Sequence, residues 1–148
     1  MNITGKFQEL SSGSDLNDVA KMDEKHFPHP WKLSDWMELD FSKHVLVTWS
    51  DETLEAFALF GLVPGDDTAH LYKIQVDPAM QGKGISMLFW SAILNILKQK
   101  AVKSIYLEVE SSNDRAIGFY KKVGFACLRR VKGYYSNGSD GLMLQLTL

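Results

Sequence analysis

Residues 81 to 86 read QGKGIS, and their types and spacing are those of a backbone anion site. Gly82 and Gly84 flank Lys83, and Ile85 and Ser86 open a long apolar run. Glycine lets a phosphate approach where a Cβ would block it, and the first turn of a helix offers N–H groups with no partner inside the helix. The turn from Gln81 to Ser86 is therefore a candidate pyrophosphate cradle. Two familiar versions fail on spacing. A Walker-type loop needs serine or threonine after its lysine, but Gly84 follows Lys83. A dinucleotide fingerprint needs a third small residue at position 87, directly after a strand; Met87 stands there, and five residues separate Val76 from Gly82. A plain glycine turn that merely starts a helix remains open. Elsewhere, His26 and His29 are separated by Pro28 and have no evident acidic third ligand, so no metal is expected. Cys127 has no CxxC or Cys/His spacing and reads, within GFACLRR, as a core thiol.

The elements that must position this turn follow from periodicity. Residues 14 to 41 read as two helices. Ser14 caps the first, which carries Leu16, Val19, Ala20 and Phe27 and is broken at Pro28 and Pro30; the second begins near Leu33 or Ser34. HVLVTW, LEAFALFGLV and AHLYKIQV are three strands joined by turns at residues 50–52 and at PGDD, an antiparallel meander. Residues 84–101 form a helix that is apolar around most of its circumference, which requires protein cover over much of its length. SIYLEV is a strand, and residues 113–124 a helix with Asn113 as N-cap and Gly124 just past its end. FACLRRV and GLMLQLTL are the last strands. With a first strand around Lys6 to Leu10, the order is β-α-α-β-β-β-α-β-α-β-β. The strand, helix, strand succession at residues 70–109 makes a right-handed crossover, hence one parallel pair in a mostly antiparallel sheet of about seven strands with about four helices. The chain reads as one α/β (α+β) domain over residues 1–148.

VDPAMQGKGIS resembles the acetyl-coenzyme A motif of the GNAT N-acetyltransferase superfamily, Q/R-x-x-G-x-G/A after a strand ending in V-D-P, with Gln81, Gly84 and Ser86 on the pattern. Ser86 departs from the usual glycine or alanine but is small. LEVESSNDRAIGFYKKVGF is similar to the superfamily's L-x-V-x-x-x-N-x-x-A-x-x-x-Y-x-x-x-G-F segment at Asn113, Ala116, Tyr120, Gly124 and Phe125. Within the superfamily, HFPHPW, LEV and RRVKGYY most resemble the ribosomal-protein alanine N-acetyltransferases. His29-Pro30-Trp31 replaces that family's F-P-W, and Lys73 stands where an uncharged residue is usual.

The resemblance implies the GNAT fold, with its parallel pair splayed, and direct transfer of an acetyl group from acetyl-CoA to a primary amine. It implies Glu108 as general base, Tyr120 as general acid, and the N–H of Val76 as oxyanion donor. The donor's pantetheine would pair with Ile74, Gln75 and Val76, and its pyrophosphate would rest on Gln81, Gly82, Lys83, Gly84, Ile85 and Ser86. Asn113 is a further contact, compatible with its capping. The basic run Lys121, Lys122, Arg129, Arg130 and Lys132 is a solvated face or a 3′-phosphate neighbour. Trp31, Lys73, Tyr134 and Tyr135 would meet the acceptor, expected to be the N-terminal amine of a ribosomal protein. A small-molecule amine (a polyamine or aminoglycoside) and a non-catalytic acyl-CoA sensor are the alternatives. Seven acidic residues against three lysines between Asp15 and Asp40 favour a cationic acceptor.

Bulk composition fits this reading. The chain has 148 residues, 45% hydrophobic and 23% charged, enough for a buried core. A net charge of −2 provides no global field for nucleic acid or an anionic membrane. The polar N-terminus is no secretory signal, the longest apolar stretch is too short to span a bilayer, and a cytoplasmic location is expected.

Overall fold

The computed structural model describes residues 4–11, 16–27, 29–63 and 65–148. The element order is the expected one: β1 (Lys6–Leu10), α1 (Leu16–His26), α2 (Leu33–Met37), β2 (His44–Asp51), β3 (Thr53–Leu62), β4 (Thr68–Val76), α3 (Ile85–Gln99), β5 (Ser104–Glu110), α4 (Asp114–Lys122), β6 (Ala126–Val131) and β7 (Gly141–Thr147). A 3-10 turn over Pro78–Met80 precedes α3. The expected cap Ser14, the breaker Pro28 and the turn residue Pro64 lie outside the described residues.

The strands form one sheet in the order β1-β2-β3-β4-β5-β7-β6. Every neighbouring pair is antiparallel except β4 and β5. That parallel ladder matches only Thr68, Ala69 and His70 with Ser104, Ile105 and Tyr106. Its end coincides with a register shift between β3 and β4: Leu59 faces Lys73 and Phe60 faces Leu71, leaving Tyr72 as the extra residue. A bulge bends its strand and increases its twist, so β4 turns away from β5 immediately past the last parallel pair. Gly61 makes room for the bulged side chain, since a Cβ there would sit 2.5 Å from Tyr72 Oη.

Alternation along the strands gives the sheet two apolar faces. Val45, Val47, Ala58, Phe60 and Ile105 face α3 and α4, where Phe89, Ile93 and Leu97 form a fully buried stripe at intervals of four residues. Leu46, Phe57 and Leu59 face α1 and α2 and pack on Val19, Met22 and Trp36. Each fully buried Leu, Ile or Phe contributes roughly 1.5–3 kcal/mol from water exclusion. The covering of α3 is less complete than its composition suggests, because Met87 and Leu88 in its first turns are exposed.

Helix α4 begins as expected: Asn113 Oδ1 accepts the N–H of Ala116 at 3.2 Å. It ends in a Schellman motif, with Phe125 N–H donating to Tyr120 O, Gly124 N–H to Lys121 O, and Gly124 at φ +106°. One expectation is corrected. Cys127 is exposed, not a core thiol, because β6 is the outermost strand beside β7 and Ala126 to Arg130 are all exposed. Among the described residues, no helix is long and apolar enough to cross a membrane.

A charged pair lies within the α1–α2 layer. Lys73 Nζ sits 2.7 Å from Asp23 Oδ1, with side chains 7% and 0% exposed. Asp23 Oδ2 accepts the backbone N–H of Trp31 at 2.8 Å and the indole N–H of Trp36 at 3.3 Å. The ammonium also lies 4.5 Å from the Phe27 ring centroid and 5.3 Å from that of Trp31. Removing one partner of such a pair strands the other charge. Lys73→Met should therefore cost about 3–5 kcal/mol, measured by urea unfolding, and Asp23→Leu combined with Lys73→Met should recover part of it. A loss below about 1 kcal/mol in the single variant would show that Asp23 is not left stranded when its partner is removed.

Candidate active site

The divergence of β4 and β5 opens a cavity of about 510 Å³. One wall is β4 beyond the bulge, with Lys73, Ile74, Gln75 and Val76. Here backbone geometry matters. Asp77 N–H donates to Glu55 O on the β3 side at 2.7 Å, so strand alternation turns the N–H of Val76, and that of Ile74, toward the edge from which β5 has departed. The amides of Gln75 and Gln81 donate to Val76 O at 2.7 and 3.2 Å, tying the strand end to the glycine turn.

The turn itself fits an anion. Asp77 Oδ1 accepts Ala79 N–H at 3.0 Å and starts the 3-10 turn, after which Gly82 and Gly84 adopt φ values of +81° and +82°. No protein atom lies within 4 Å of a Cβ built on Gly82, so the left-handed backbone demands glycine there and the space beside it is open. Gly84 is the N-cap of α3, and Ile85 begins the helix, leaving its first N–H groups for an external acceptor. Gln81 and Ser86 line the cavity directly; Gly82, Lys83, Gly84 and Ile85 form the turn beside it.

The opposite wall comes from β5 and α4. Glu108 projects from the face of β5 opposite the buried Leu107 and Val109, and lines the cavity together with Glu110. Asn113, Ala116 and Tyr120 project from α4. Tyr120 is only 8% exposed and is held edge-on by Phe125 and Phe119, with ring centroids 5.4 and 5.8 Å away. Burial, and then the neighbouring Tyr135, push its hydroxyl up to about 12. Tyr135 also lines the cavity and is pushed up to about 12 by burial and by the charges of Glu108 and Glu110.

The remaining expected acceptor contacts are more scattered. Tyr134 is exposed and stacks edge-on against Tyr135 at 5.0 Å. Trp31 packs on Trp36 at 5.0 Å and does not itself line the cavity, whereas His26 and Phe27 do. Lys73 lines the cavity with its charge already matched by Asp23. In the basic run, Arg130 pairs with Asp140 at 2.7 Å. Participants that escape sequence reasoning include Asp23, Phe27, His70, Tyr72, Glu110 and Arg115. His70 Nε2 lies 2.7 Å from Glu108 Oε2, although 38 residues separate them and no local motif announces the pair.

The acetyltransferase (GNAT) family pattern matches residues 12–125, most of the chain and every element around the cavity except the β6–β7 loop. The chain belongs to the GNAT acetyltransferase family. It is 29% identical over 145 residues to a ribosomal protein bS18-alanine N-acetyltransferase of Salmonella typhimurium, covering 94% of this chain and 95% of that one. It is 27% identical over 122 residues to the Haemophilus ducreyi enzyme of the same name, covering 82% and 83%. The crystal structure of the ribosomal-protein-S18-alanine N-acetyltransferase from Escherichia coli shares the fold, with a TM-score of 0.86 at 24% identity over 97% of this chain and 94% of that one. This GNAT member is thus an acetyl-CoA-dependent N-acetyltransferase. The residues present fit that acyl donor, with a helix N-terminus and two left-handed glycines for its phosphates and an unpaired strand edge for its amide arm. Among the described residues no cluster suited to a metal ion occurs.

The raised tyrosine has a consequence for alkaline stability. Burial favours the neutral phenol, so its contribution is complete below the ordinary tyrosine value near 10 and is lost as pH rises through about 12. Between those limits wild type should lose roughly 3 kcal/mol more than Tyr120→Phe, read from urea midpoints at stepped pH. Parallel curves for the two proteins would show that Tyr120 ionises without penalty.

Proposed function

We propose that this enzyme acetylates the N-terminal α-amine of a protein, a ribosomal protein beginning with alanine being the first choice, with Glu108 as general base and Tyr120 as hydrogen donor to the departing sulfur. The observation that carries this reading is the presence of Glu108 and Tyr120 on one cavity wall, facing the β4 edge and the glycine turn. The names of the Salmonella and Haemophilus relatives favour the protein acceptor.

An α-amine has an ordinary pKa of about 7.7–8.0, so at neutral pH most of it carries a proton that must leave before nitrogen can attack. Glu108 is a partly exposed carboxylate able to take that proton. Bound acetyl-CoA supplies the thioester carbonyl and a thiolate leaving group. Val76 N–H, turned to the open edge, supplies a donor for the oxygen that gains charge. Tyr120 keeps its proton throughout the neutral range. Because an ordinary thiol sits near 8.5, complete transfer from a phenol near 12 is uphill, and Tyr120 acts chiefly by holding a hydrogen bond to the sulfur as charge develops.

Among the described residues, no acidic side chain between Asp18 and Asp40 lines the cavity. Asp23 is internally paired, and Asp35 accepts the N–H of Lys32 at the start of α2. The carboxylates nearest the reaction are instead Glu108 and Glu110. Thiol release from acetyl-CoA should be rapid with a basic peptide beginning in alanine, absent when its N-terminus is blocked, and slower with spermidine. Glu108→Gln should lower kcat by about 10²–10⁴-fold with the KM for acetyl-CoA little changed. Faster turnover of spermidine would transfer the enzyme to the small-amine class, and donor binding without turnover on any acceptor would favour a sensor.

A further inference from the structure

Glu108 is a partly exposed carboxylate on a flexible side chain, and it stands where the sheet has begun to open. His70 and Tyr106 form the last matched pair of the parallel ladder, and Glu108 lies two residues farther along β5. Across the gap, His70 Nε2 sits 2.7 Å from Glu108 Oε2. Among the described residues this is the one hydrogen bond that the carboxylate makes, so it spans the two strands just where their backbone pairing has stopped.

A carboxylate ready to take a proton carries none, so the hydrogen in this contact belongs to His70 Nε2, and His70 is the donor. Donation favours the ionised carboxylate and so does not make Glu108 a stronger base. What it supplies is direction. With Oε2 held by His70, Oε1 is the oxygen left to meet the acceptor amine. We infer that His70 is a positioning residue of the transfer reaction, orienting the Glu108 carboxylate through its Nε2–H while moving no proton itself. The inference rests on the reading of Glu108 as the base. Displacing a reacting group by ~1 Å can cost about 10²-fold in rate, which sets the scale of what such a contact protects.

The donor is itself held in place. The imidazole lies between Tyr72, at 4.6 Å between ring centroids, and Tyr106, which meets it edge-on at 5.3 Å. Tyr106 donates its hydroxyl to Met143 Sδ at 3.1 Å, and Met143 is buried on β7. A line of contacts therefore runs from β7 through Tyr106 to His70 on β4 and returns to Glu108 on β5. Tyr72, the bulge residue, both bends β4 and supports the ring. Neighbouring donors are committed elsewhere: Lys73 is matched to Asp23, Tyr106 to Met143, and His44 Nδ1 lies within 3.1–3.2 Å of the Asp40 backbone.

The test is steady-state kinetics with acetyl-CoA and the alanine peptide on wild type, His70→Leu, His70→Val, His70→Gln, Glu108→Gln and the double variant His70→Leu with Glu108→Gln, alongside calorimetric binding of CoA to each. Leucine and valine remove the donor; glutamine carries an amide N–H at about the reach of Nε2. The side chain is about one-third exposed, so the apolar variants should fold and bind CoA as wild type does. Both should lose about 10-fold to 10²-fold in kcat with KM for either substrate little changed, and His70→Gln should keep most of the wild-type kcat. Because His70 acts through Glu108, His70→Leu should cause no further loss once Glu108 is glutamine. Wild-type kcat in the apolar variants would overturn the inference, as would a glutamine variant as slow as the leucine one, a raised KM with unchanged kcat, or an equal loss in the Glu108→Gln background. If Glu108→Gln is crippled while the apolar variants are fully active, the base stands and only the positioning role falls. Full activity of Glu108→Gln would remove both.

Discussion

The bulge at Tyr72 is the constraint from which the site follows. Parallel strands pair through evenly spaced bonds, and β4 and β5 would continue their ladder if both stayed regular. One unmatched residue against β3 prevents this, bending β4 after His70 while its antiparallel pairing to β3 resumes at Lys73. The bend costs unsatisfied backbone groups on β4, and an extended, amide-bearing ligand can satisfy them. It also requires Gly61, since a side chain there would collide with the Tyr72 ring. Sheet irregularity, cavity and ligand-ready edge are thus consequences of a single extra residue.

The buried Asp23–Lys73 pair secures the bulged strand from the other face. Its two charges are taken from water, and an apolar pair of similar volume could be as stable, so net stability is a weak reason for it. Direction is a stronger one. Asp23 uses one oxygen for Lys73 and the other for Trp31 N–H and Trp36 Nε1, linking α1, the segment before α2, α2 and β4 at one point. An apolar contact could slide; four elements joined through one carboxylate have a single register. The Phe27 and His26 wall of the cavity is therefore fixed relative to the strand edge opposite Glu108.

What the sequence made legible was whatever is encoded locally. The order of all eleven strands and helices, the cap at Asn113, the terminating Gly124 and the glycine turn each depend on a few neighbouring residues. The face of β5 that carries Glu108 followed from period-two alternation. Pairings between distant segments left no such trace. Lys73 could be read as a charge beside the acceptor, but its partner lies fifty residues away on α1. His70 looked like an ordinary strand residue until the short parallel ladder brought it to Glu108. Cys127 shows the complementary error: its apolar neighbours suggested burial, yet strand order put β6 at the sheet edge, and order is a property of the whole chain.

In the proposed site the surrounding charges would also hold the two substrates apart. On one side stand the N-terminus of α3, with its partial positive charge, and Lys83 in the turn beside the cavity; on the other stand Glu108 and Glu110, with Arg115 of α4 also on the lining. A polyphosphate is attracted to the first and repelled by the second, and a protonated amine experiences the reverse. Those fields act across a site flanked by the buried Tyr120 and the half-buried Tyr135, both pushed up to about 12 and so adding no charge near neutrality. Neutrality of Tyr120 and Tyr135 also matters: an ionised phenol beside Glu108 would make a proton captured there harder to release before the next turnover. Burial keeps the aromatic wall neutral, so the carboxylates define the negative end of the site.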